Sequence, residues 1–90
     1  MEPAPLPGGD LIAAGLDDLR RGLETIPSLL VSIGAPRLRR LGHAIPPIFP
    51  DPEQRLYALL AREHPAAAHS RYNALIRRLV SFERAAECEH

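Results

Sequence analysis

The chain has 90 residues, with eleven basic and eleven acidic side chains, so no net charge steers it toward nucleic acid or an anionic membrane. A chain this long forms one domain and buries only roughly 60% of its extended surface. Trp is absent and Phe and Tyr number two each, so the core must be aliphatic, built mainly from leucine.

All eleven basic residues are arginine. Codon usage in a GC-rich genome explains this more simply than selection for bidentate contacts to carboxylate or phosphate. Cys88 is the single cysteine, which excludes an intramolecular disulfide and suits a reducing, cytoplasmic setting. Residues 1–7 hold an acid and three prolines rather than the basic head and apolar run of a signal peptide. No apolar stretch approaches the roughly 20 residues of a membrane span.

Punctuation organises the chain: all ten prolines and all six glycines lie in the first 65 residues. Residues 1–9, with Pro3, Pro5, Pro7 and Gly8-Gly9, read as a disordered arm preceding a single helical domain over 10–90. Asp10 is the expected N-cap of a first helix. Its apolar stripe is Ile12, Leu16, Leu19, Leu23 and Ile26, and Asp17–Arg21 and Arg20–Glu24 are candidate surface pairs. Gly15 and Gly22, seven apart, either let another helix approach or are merely tolerated.

Pro27 is expected to end that helix. Two short helices then follow, over 27–33 with Gly34 as left-handed C-cap and over 36–41 with Gly42 as terminator. Pro46, Pro47 and Pro50 force an extended crossover over 43–52, which Ile45, Ile48 and Phe49 would lay across an apolar surface. Asp51-Pro52-Glu53-Gln54 is the strongest local helix start, with Asp51 as cap and Gln54 closing a capping box. That helix presents Leu56, Leu59 and Leu60 to the core and ends at His64-Pro65. The last helix begins between Ala66 and Ser70 and runs to about Glu87, with Tyr72, Leu75, Ile76, Leu79, Phe82 and Ala86 on one face. At about 30 Å it spans a domain of similar diameter. The expected fold is all-α: a small bundle of four to five helices with the C-terminal helix as spine.

Chemistry is sparse. His43, His64, His69, His90 and Cys88 lack the spacing of a metal site. Cys88 lies near a helix C-terminus between Glu87 and Glu89, which suppresses thiolate. No phosphate-binding glycine loop follows a strand. The expectation is a non-enzymatic protein without cofactor or metal. Its leading reading is a protein–protein interaction module, a homodimer or an accessory or antitoxin-like subunit, using Tyr72, Leu75, Leu79, Phe82 and Arg78. The alternative is a helix-turn-helix-like DNA-binding regulator reading DNA through Arg37, Arg39 and Arg40, which sit in a stretch without acids between Glu24 and Asp51.

Overall fold

The computed structural model describes residues 6–88. They form four helices: α1 (Gly9–Arg20), α2 (Ile26–Arg40), α3 (Pro52–Glu63) and α4 (Ala68–Cys88). The all-α bundle, the long last helix packed against its neighbours and the irregular crossover all match the sequence reading. Of the expected arm over 1–9, residues 1–5 lie outside the described residues. Leu6 packs against the core and Gly9 already belongs to α1. The molecule measures 41 × 25 × 22 Å, so α4, at about 31 Å, is shorter than its longest dimension.

The largest correction concerns α2. The two short helices expected over 27–33 and 36–41 are one helix of 15 residues. Gly34 is not a cap; it is buried in mid-helix, where Leu79 and Glu83 of α4 rest on it. Pro36 lies inside the helix on its exposed side. An interior proline removes one helical hydrogen bond and costs on the order of 3 kcal/mol. Burial outweighs that cost: Leu29, Leu30, Val31, Ala35 and Leu38 are all fully inaccessible to solvent. This helix packs against each of the other three, so α1, α3 and α4 surround it.

The boundary between α1 and α2 also moves. Helix α1 stops at Arg20, and Leu23 and Ile26 are not part of it. Gly22, at φ 70°, supplies the left-handed residue of a Schellman turn, with Leu23 N–H donating to Asp18 O at 2.8 Å and Gly22 N–H to Leu19 O at 3.1 Å. Gly42, at φ 100°, ends α2 in the same way, with His43 N–H donating to Leu38 O at 3.0 Å. The Asp17–Arg21 pair forms at 3.6 Å, but Glu24 is past the helix end and pairs with Arg55 of α3 at 2.8 Å instead of with Arg20.

The expected caps are rearranged. Gly8 rather than Asp10 is the N-cap of α1, and Asp10 sits in the first turn. Asp51 does occupy the N-cap of α3, but in a left-handed conformation (φ 48°) with no side-chain capping bond. The capping box lies instead at α2. Thr25 Oγ1 accepts from Ser28 N–H at 3.2 Å, and Ser28 Oγ accepts from Thr25 N–H at 2.7 Å. Thr25 Oγ1 also donates to Asp18 Oδ2 at 2.6 Å, tying the end of α1 to the start of α2. Thr25→Ala removes both links, and an equilibrium denaturation curve should show a loss of about 1 kcal/mol.

The crossover is anchored at three points. Ile45 and Phe49 pack against the core, while Ile48 remains exposed. Phe49 N–H donates to the buried Ser32 Oγ at 3.4 Å. The His43 ring leans on Phe82, with centroids 5.7 Å apart.

Candidate functional site

The continuous course of α2 leaves no turn at Gly34, so the helix-turn-helix arrangement expected there is absent. Arg37 is also committed within the chain. Its Nη1 lies 3.5 Å from Glu83 Oε1, and its Nη2 lies 2.9 Å from Glu87 Oε1. Arg39 and Arg40 are exposed in the last turn of α2.

The sequence reading does not single out Glu83, yet it is the one buried charged side chain among the described residues, at 4% exposure. A signal exists: Glu83 lies four residues after Leu79 and three before Ala86, on the apolar stripe itself. Burial pushes its carboxyl pKa up. Arg37 and, more weakly, Arg40 oppose that shift, while Glu87 adds to it.

The five residues assigned to a partner interface divide into two groups. Leu79 and Phe82 are buried at 4% and 5% and pack within the chain's own core. Tyr72 is half-buried, with its ring 5.8 Å from that of Tyr57, and burial followed by the charge of Glu53 raises its phenol pKa. Leu75 is partly buried and Arg78 is half-exposed.

Leu75 and Arg78 instead border an open groove of about 210 Å³ along α4. Ile26, Leu60 and Leu75 are its large aliphatic residues, and Ala74, His64, Arg71 and Arg78 complete the lining. Arg71, Ala74, Leu75 and Arg78 stand at positions i, i+3, i+4 and i+7, so they form one face of α4. This face is rotated from the Leu79–Phe82–Ala86 stripe that enters the core. The sequence stripe combines the two faces because Leu75 borders both.

The groove contains one histidine and no carboxylate or cysteine. Among the described residues no group of three or more His, Cys, Asp or Glu side chains could hold a metal ion. His43 packs on Phe82, His64 lines the groove and exposed His69 meets Asn73 at 3.2 Å. Cys88 is exposed at the end of α4, and His90 lies outside the described residues. No helix among the described residues is long and apolar enough to cross a membrane.

The class defined by these features is a small all-helical domain with an open, arginine-rimmed groove. Comparison with protein-family models, with curated proteins and with solved structures finds no match.

Proposed function

We propose that this chain is a non-enzymatic protein–protein interaction module and that it engages its partner through the α4 face at Arg71, Ala74, Leu75 and Arg78. The supporting observation is the groove. The half-buried Ile26 and Leu75, backed by the buried Leu60, form apolar surface beside a helix face whose central residue, Ala74, is small and exposed. A small residue there allows close approach by another helix, and the arginines at the two ends suit a polar rim around an apolar centre.

Light scattering on the purified chain, combined with pull-down under native conditions, tests the reading. The expected result is an oligomer or a stoichiometric retained partner that Ala74→Glu abolishes while the helical circular dichroism is unchanged. A monodisperse monomer that retains nothing would remove the reading, as would an association indifferent to Ala74→Glu.

A further inference from the structure

We infer that the occupant of the α4 face is a second copy of this chain, seated through its α1. This inference rests on the interaction reading above and names its partner. The exposed face of α1 carries Asp10, Ala13, Ala14 and Asp17, again at i, i+3, i+4 and i+7. The α4 face carries Arg71, Ala74, Leu75 and Arg78 in the same spacing. One face therefore offers acid, two small apolar residues and acid. The other offers arginine, a small and a larger apolar residue, and arginine. In each the charges are about 10 Å apart along the helix.

Helices α1 and α4 both pack on α2, and that shared neighbour sets their relative direction and register. Gly15 of α1 sits against Pro27 and Val31, and Asp18 bonds Thr25, so α1 runs antiparallel to α2. Ile26 shares the groove with Arg71 and Leu75, Gly34 meets Leu79 and Glu83, and Arg37 meets Glu83 and Glu87, so α4 runs parallel to α2. Helices α1 and α4 are therefore antiparallel, with Asp10 at the level of Arg78 and Asp17 toward that of Arg71. Arg78 Nη2 and Asp10 Oδ1 lie 3.4 Å apart, so the two faces adjoin at that end.

A two-fold axis parallel to the helices, lying outside the molecule in front of the two faces, preserves height along the axis. It turns α1 of one copy onto α4 of the other, with Asp10 over Arg78 and Asp17 over Arg71, twice in each dimer. An isologous interface requires this kind of self-complementary patch. The pairs these acids make within the chain are exposed: the side chains of Asp10 and Arg78 are 82% and 50% accessible, and those of Asp17 and Arg21 are 57% and 64% accessible. Such pairs are weak and exchange readily.

Charge reversal at Asp17 and Arg71, both exposed, is the decisive test. Asp17→Arg places two arginines together and Arg71→Asp places two aspartates together, so each variant alone should weaken dimerisation roughly tenfold or more. An equimolar mixture of the two variants should dimerise again. In the mixed dimer one half of the interface sets the two substituted side chains against each other with opposite charge, and the other half restores the native pair of Asp17 with Arg71. Sedimentation equilibrium measures all four samples, circular dichroism checks that each is folded, and added salt should weaken the native dimer. A monomeric native chain, single variants that dimerise normally, or a mixture without recovery would each overturn the inference. If the isolated chain is monomeric but retains a different protein sensitive to Ala74→Glu, the second-copy inference falls and the interaction reading stands. If it also retains nothing, both fall.

Discussion

Gly15→Ala is expected to destabilise the fold by about 3 kcal/mol, at the upper end of what one added methyl costs in a packed interior. A Cβ at Gly15 would lie 2.8 Å from the Pro27 carbonyl carbon and closer still to the Pro27 oxygen and Val31 Cγ2. The carbonyl belongs to the first turn of α2 and cannot rotate aside, so the two helices must separate. Separation opens the contact around Ile12, Leu19 and Val31, all buried. The gain from replacing a helical glycine, about 1 kcal/mol, does not recover this loss.

Gly34→Ala provides the contrast. Its nearest neighbour would be Leu79 Cδ1 at 2.8 Å, followed by Glu83 Oε2 at 3.2 Å, both ends of side chains that can turn. The helix-propensity gain of about 1 kcal/mol largely offsets that rearrangement. Thermal melts should show Gly15→Ala lowered by roughly 10–20 °C and Gly34→Ala close to the native chain. Equal losses at the two positions would mean that α1 and α2 are not in backbone contact at Gly15.

These glycines also show what the sequence can and cannot convey. Periodicity locates α3 and α4 because each is one uninterrupted stripe between clear stops. It cannot assign Gly22 and Gly34, since a glycine ends a helix in one context and admits a neighbour in another. Gly22 has open space around its Cβ position and a positive φ, whereas Gly34 lies under Leu79 and Glu83. That difference is set by distant chain. Pro36 compounds the ambiguity: local propensity argues for a break, and only the buried face from Leu29 to Leu38 overrides it. The capping box at Thr25 escapes a pattern search because serine, not glutamate or glutamine, closes it. At the groove, Leu75 and Arg78 are legible in the sequence as interface candidates. Ile26 and Leu60 are not, because they come from other helices that only the tertiary fold brings to the same place.

The second large effect concerns Glu83. Its folded-state carboxyl titrates above its unfolded value, chiefly because it is buried. The native state therefore holds that proton more tightly than the unfolded chain does. The associated stability is fully present below the unfolded value of about 4.3 and is lost as pH rises through the folded value. Glu83→Gln keeps the shape and removes the titration. The variant should match the native chain near pH 4 and exceed it at pH 7, with the difference growing across that interval.

Arg37→Ala acts in the opposite direction. It takes away the cation that opposes the burial penalty and leaves Glu83 beside Glu87. Breaking a fully buried ion pair costs about 3–5 kcal/mol; because the Arg37 side chain is 31% exposed, the expected loss at pH 7 is nearer ~2 kcal/mol. Most of that loss should disappear when Arg37→Ala is made in the Glu83→Gln background, since the uncompensated charge is then gone. Urea titrations of the four proteins at pH 4 and pH 7 measure this coupling. If Glu83→Gln is less stable than the native chain at pH 7, the ion pair with Arg37 outweighs desolvation, and Glu83 is a stabilising anchor between α2 and α4. If the Gln variant gains stability as expected, the anchor is the packing of Leu79 on Gly34, and Glu83 is a charge that the fold accommodates through Arg37.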